Sequence, residues 1–208
     1  MKWTPLLFSD NMARAMVENR KWQTRRLKGL NEINWKPDRW ELAEHEGLDW
    51  HLYNRGDGLI KNIKCPFGVI GDWIWGRETW KTEARYDYLN PGHVSMQSNL
   101  LWLANGDGRI NHVGEPFGKV RQSIFMPHWA SRIEREIVGL RLERLQDISE
   151  DDAKAEGVHN EMNIRWMSGD DTIIGMFGNL WDSINEPRGY GWEHNPWVWV
   201  LEFPKGVK

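Results

Sequence analysis

The chain has 208 residues, 40% of them hydrophobic and 27% charged, with 27 basic against 30 acidic side chains and a net charge of −3. That size suits one domain with long insertions, or at most two small ones, and it can bury a real core. The composition excludes a disordered chain, no apolar run approaches the roughly 20 residues that span a bilayer, and the one cysteine, Cys65, excludes an internal disulfide.

The apolar stretch within Met1–Phe8 is too short for a secretion signal, so a cytoplasmic location and no membrane partner are expected. The even charge balance favours a small ligand over long nucleic acid, because phosphate neutralisation supplies most of the affinity for a polymer. Fifteen tryptophans read first as core packing, and second as one or two rings that stack on a planar ligand.

Thr4 to Phe8 reads as a first strand. Ser9 or Asp10 caps a helix whose stripe is Met12, Ala13, Met16 and Val17, and Asn19 suits its left-handed end. Lys21 to Leu27 reads as a second, extended segment. Residues 30 to 64 are a variable stretch with a short helix expected over 38 to 45. Turn signals at Cys65-Pro66-Phe67-Gly68 and Gly71-Asp72 lead into a strand over 73 to 80. Residues 84 to 122 form a second variable stretch, with Asn105-Gly106-Asp107-Gly108 suiting a hairpin turn.

Ser131 to Leu145 is the longest strand candidate. Its apolar residues switch parity between Ile137 and Val138, which predicts a bulge near Gly139. Ser149-Glu150-Asp151-Asp152 resembles a capping box, and Gly157 ends the helix it starts. Ile174, Phe177, Trp181 and Ile184 recur at helical spacing up to Pro187, and Trp197 to Phe203 is a terminal strand. The order predicts an α+β class with a mostly antiparallel sheet curled into a barrel, spanning 1–208 as one domain.

The seven histidines show no His-Glu-x-x-His or paired-cysteine pattern, and the lone turn glycines match no phosphate loop, so no metal and no cofactor are expected. Arg20-Lys21-Trp22-Gln23-Thr24-Arg25-Arg26 is more informative. An amine activates a hydroxyl in Ser-Lys catalytic pairs, provided burial brings the lysine pKa down. Residues three apart face opposite ways in a regular strand, so Lys21 and Thr24 converge only if the chain bends. The plain alternative is a solvated basic edge. Glu78, in a segment apolar on both faces, must be paired or protonated. Lys21 and an arginine are both available partners.

The early strand and helix followed by Arg-Lys-x-x-Thr-Arg, the Gly-Asp-x-Ile-Trp-x-Arg-Glu-Thr-Trp block, and the run through Leu145-Gln146-Asp147-Ile148-Ser149 resemble the ASCH family. The ending Trp181-Asp182-Ser183-Ile184-Asn185, Gly191-Trp192 and Asn195-Pro196-Trp197-Val198-Trp199 looks like a larger subgroup common in phages and prophages. The resemblance implies a PUA-like fold carrying insertions at about 30–64 and 84–122. Some members are N(4)-acetylcytidine amidohydrolases, whose Lys, Thr and distant Glu fall on Lys21, Thr24 and Glu78 here.

That implies hydrolysis of the exocyclic amide of an N(4)-acylated cytidine, a small modified nucleoside. In the expected mechanism Thr24 attacks or positions water, Lys21 accepts the proton, and Glu78 orients Lys21. Phe8 or Trp80 would stack on the pyrimidine, and Arg25 would bond a ring or ribose oxygen. Three other readings stay open: an RNA-binding module, a ribonuclease, and a phage accessory factor without catalysis.

Overall fold

The computed structural model describes residues 1–46, 49–158 and 172–206. In chain order the elements are β1 (Trp3–Leu7), α1 (Asp10–Val17), β2 (Gln23–Arg26), α2 (Asn31–Asn34), β3 (Trp40–Glu46), β4 (Asp49–Asn54), β5 (Ile60–Ile63), β6 (Trp73–Arg77) and β7 (Trp80–Lys81). They continue with β8 (Leu100–Trp102), β9 (Gly108–Arg109), β10 (Glu134–Glu136), β11 (Gly139–Arg144), α3 (Glu150–Ala155), α4 (Ile173–Asn185) and β12 (Trp197–Glu202). The class is α+β. Among the described residues the strands make four three-stranded sheets, antiparallel except for the β1–β6 pair, where the sequence predicts one curled barrel. No helix of the described residues is long and apolar enough to cross a membrane.

The chain divides into two compact units. The first comprises Met1–Arg20, Asp72–Glu136 and Lys205–Lys208. It holds the sheets β1-β6-β10 and β7-β8-β9. Helix α1 buries Met12, Ala13, Ala15 and Met16, and Asn19 ends it at a φ of 55°. A cluster of Trp80, Leu100, Trp102, Met126 and Ala130 fills the core beside the second sheet. The variable stretch at 84–122 supplies β8 and β9, joined by the turn that Asn105–Gly108 predicts.

The second unit comprises Lys21–Gly71 and Ile137–Pro204. Its sheets are β11-β12-β2 and β3-β4-β5. Strand β12 lies between β11 and β2, and alternation gives the first sheet two unlike faces. Leu27, Leu145, Val198 and Val200 on one face pack against Met176, Phe177 and Trp181 of α4. The same face carries Gln23, Arg25, Arg141, Glu143 and Glu202 by the strand register. The opposite face carries Thr24, Arg26, Leu142, Trp197, Trp199 and Leu201, with Trp50 set edge-on to Trp199 at 5.7 Å.

Three local expectations are corrected. Residues 40–46 form β3 rather than a helix, because pairing with β4 satisfies their backbone in extended form. The strand expected over 73 to 80 stops at Arg77 and resumes at Trp80, so Glu78 lies between two strands of different sheets. The strand expected over 131 to 145 is two strands, β10 and β11, in different sheets. The parity switch at Ile137–Val138 marks the passage from one unit to the other rather than a bulge within one sheet.

Candidate active site

The ladder between β12 and β2 runs one residue further, since the Phe203 amide donates to the Trp22 carbonyl at 2.8 Å. Trp22 in turn donates its amide to the Ala155 carbonyl at 2.9 Å, at the C-terminal end of α3. Helix α3 starts where the sequence places it. The Ser149 side chain accepts from the Asp152 amide, and Gly157 follows the helix at a φ of 90°. Asp152 and Glu156 are four residues apart, so both project from one side of this short helix.

Lys21 meets that end of α3. Its ammonium donates to the Glu156 carbonyl oxygen at 2.9 Å and to the Glu156 carboxylate as well. The carbonyls of Ala155 and Glu156 at the helix terminus thus find partners, and a cation beside a helix C-terminus is electrostatically favoured. The other carboxylate oxygen of Glu156 accepts from Arg25 Nη1 at 3.2 Å. All three residues are buried, with 3% of Lys21, 4% of Arg25 and 4% of Glu156 exposed.

The network continues along the same face. Arg25 also donates to Gln23 at 2.7 Å, to Glu143 at 2.7 Å and to Asp152 at 3.3 Å. Arg141 donates to Glu143 at 2.7 Å, to Asp152 at 2.8 Å and to Glu202. An isolated buried charge costs several kcal/mol, so this arrangement is tolerable only because each cation faces carboxylates. Burial pushes the Lys21 amine below its ordinary value of 10.5, with Glu156 opposing and Arg26 and Arg25 adding to the fall. Burial pulls the other way on Asp152, yet the Gln23 hydrogen bond and the charges of Arg141 and Arg25 hold it below 3.8.

Thr24 is 3% exposed and pairs with Leu201 across the strands. Alternation turns its side chain to the face of Trp199 and Leu201, away from Gln23 and Arg25. Its hydroxyl makes no hydrogen bond with a described residue, and the Trp199 Nε1 on the same face is buried without a partner. The carboxylate that holds Lys21 is therefore Glu156, and no hydrogen bond joins Lys21 to Thr24 among the described residues. The same unit also has a groove of about 320 Å³ walled by Trp40, Trp197, Arg55 and Arg144. Its arginines are already paired, Arg144 with Asp38 and Arg55 with Glu41.

Glu78 belongs to the first unit, and its partner is an arginine. Arg132 donates Nε to Oε1 at 2.8 Å and Nη2 to Oε2 at 2.9 Å, a two-pronged pair on a carboxylate that is 0% exposed. Burial raises the Glu78 carboxyl above 4.5, Arg132 opposes, and the nearby charges of Asp10 and Asp107 add to the rise.

The residues expected to contact a base are placed as follows. Trp80 is fully buried, with Arg121 over its ring at 5.5 Å and Trp129 edge-on at 6.2 Å. Phe8 is buried in the same unit and donates its amide to the Arg77 carbonyl at 3.0 Å. Arg25 is committed to the ion network. Sequence reasoning missed Glu156 and Arg132. The capping box offered a signal for Glu156, since a helix starting at Glu150 puts Asp152 and Glu156 on one side. No local pattern marks Arg132, which stands 54 positions from Glu78. No protein-family model matches the chain, and neither a curated protein nor a solved structure matches it.

Proposed function

We propose that the chain is an amidohydrolase of the ASCH type, with a PUA-like fold, that removes the acyl group from N(4)-acylated cytosine nucleosides at Lys21 and Thr24. The observation that carries this reading is a buried lysine, its pKa lowered and its amine held by Glu156, three residues before a hydroxyl that makes no hydrogen bond among the described residues. A lowered pKa raises the neutral fraction of the amine at any given pH, which favours a general base.

In the proposed reaction the Thr24 oxygen bonds to the acyl carbon, and Lys21 takes the hydroxyl proton. The carbon–nitrogen bond then breaks, and the proton passes from Lys21 to the exocyclic nitrogen of cytosine. Water adds to the resulting threonine ester, the acid leaves, and Thr24 regains its proton. In the free protein Glu156 holds the Lys21 amine while Thr24 turns to the opposite sheet face, so this order requires the start of β2 to rearrange and bring the two together when substrate binds.

The basic cluster favours this reading over RNA binding, because Arg25 is buried and paired rather than offered to phosphate. The test is incubation with a panel of N(4)-acylcytidines, following cytidine release by chromatography and an acyl adduct on Thr24 by mass spectrometry. Release by the wild-type protein that is lost in Lys21→Ala and in Thr24→Ala supports the proposal. No release from any member of the panel overturns it, and shortening of added RNA would favour the nuclease reading instead.

A further inference from the structure

Glu156 has two jobs in the geometry. Through its backbone carbonyl and its carboxylate it grips the Lys21 amine at two points. Through its second carboxylate oxygen it is itself gripped by Arg25 at 3.2 Å. Arg25 is held on every side, because Gln23 accepts from the same Nη1, Glu143 accepts from Nε and Nη2, and Asp152 accepts from Nη2. Glu143 and Asp152 are fixed in turn by Arg141, which also reaches Glu202.

We propose that Glu156 is the positioning residue of Lys21, a carboxylate clamped by Arg25 that fixes the amine in one place and ties its charge to the ion network of the sheet. The inference rests on the reading of Lys21 as the base, and it adds the device that sets when that base is available. Glu156 touches no reacting atom in this scheme. It acts through Lys21.

The charges around the pair agree. From β2, Arg25 and Arg26 both disfavour the ammonium, and Glu156 is the carboxylate that opposes them directly. Asp152 from α3, Glu143 and Arg141 from β11 and Glu202 from β12 neutralise Arg25 and one another. Removing the Glu156 charge therefore leaves the Lys21 ammonium facing two arginines in a buried place. It should lose its proton more readily and no longer be held in one position.

The experiment is NMR of the full chain labelled with 13C and 15N in lysine, following the Lys21 side-chain signal from about pH 6 to about pH 11. The signal is assigned by its loss in Lys21→Gln. In Glu156→Gln the titration midpoint should fall by about 1 pH unit or more, the effect of removing an opposite charge at contact distance. An unchanged midpoint in folded Glu156→Gln protein overturns the proposal. If near-ultraviolet circular dichroism shows that this variant has not folded, Glu156→Asp decides, since it keeps the charge but shortens the reach. A shifted midpoint with a broadened signal supports the clamp, and a wild-type titration overturns it.

The readout does not depend on turnover. Absence of cytidine release from wild-type protein would end the amidohydrolase reading, and the titration would still decide on Glu156. Where release is observed, the pH profile of kcat/KM in Glu156→Gln should move down by the same interval as the NMR midpoint. A kcat/KM lowered equally at every pH, with no displacement of the profile, overturns the proposal.

Discussion

Lys21 and Glu156 lie 135 positions apart in the chain, yet the Lys21 ammonium is held by both the backbone carbonyl and the carboxylate of Glu156. Two features bring them together. Trp22 extends the β12–β2 ladder by one residue, and the same Trp22 closes the C-terminal end of α3. The lysine that precedes Trp22 then has its amine against the helix terminus.

Thr24→Ala and Lys21→Ala should each reduce deacylation by at least about 100-fold while the circular dichroism spectrum is retained. Thr24→Ser should keep measurable activity, because it preserves the hydroxyl. Steady-state cytidine release checks all three. Near-normal turnover by Thr24→Ala would remove the nucleophile from the proposed reaction.

The pH dependence follows from the depressed Lys21 value. Its neutral fraction grows as pH rises through that value, so kcat/KM should climb along a limb lying below the ordinary 10.5. For stability the sign is the same. The folded state binds this proton less tightly than the unfolded chain, so the lysine's contribution is fully present above 10.5 and is lost as pH falls through the folded value. A pH–rate profile of wild type against Lys21→Arg checks the limb, which should vanish in the variant.

Arg132→Met leaves Glu78 buried without its cation. The expected loss near neutral pH is about 3–5 kcal/mol. The Glu78 carboxyl, already above 4.5 through burial, should rise further, so the fold prefers it protonated and the deficit should shrink as pH falls. Urea denaturation at about pH 7 and about pH 5 measures the difference. Adding Glu78→Gln to Arg132→Met should recover part of the loss at the higher pH.

Gly76 stands where β6 passes Ile133, and a Cβ there would lie 2.8 Å from the Ile133 Cβ and 2.9 Å from its Cγ2. Gly76→Ala should cost about 1–3 kcal/mol by overpacking. Trimming with Ile133→Val should not restore stability, because valine keeps both of the atoms in closest conflict. Thermal or urea unfolding of the single and double variants provides the check.

Features that depend on a few neighbouring residues were legible in the sequence. Asn19 ends α1 in the left-handed conformation, Ser149 caps α3, Gly157 follows its end, and a hairpin turns at Asn105–Gly108. Each is decided by local backbone angles or by a hydrogen bond spanning three residues. The local pattern over 38 to 45 predicts a helix, but pairing with β4, which a local pattern does not contain, holds residues 40–46 extended.

The charged residues show the same division more sharply. Burial of Glu78 was legible from the apolar residues on both sides of it, and so was the need for a partner, but the choice of Arg132 was not. Arg141 and Glu143 alternate with apolar neighbours, a pattern that names no partner, and they lie in a part-buried network with Arg25. The amino-acid sequence by itself determined the residue types, the helix ends and the demand that buried charges be neutralised. Only the tertiary structure decided which charge neutralises which, because that depends on β12 lying between β11 and β2 and on α3 resting over one face of the sheet they form.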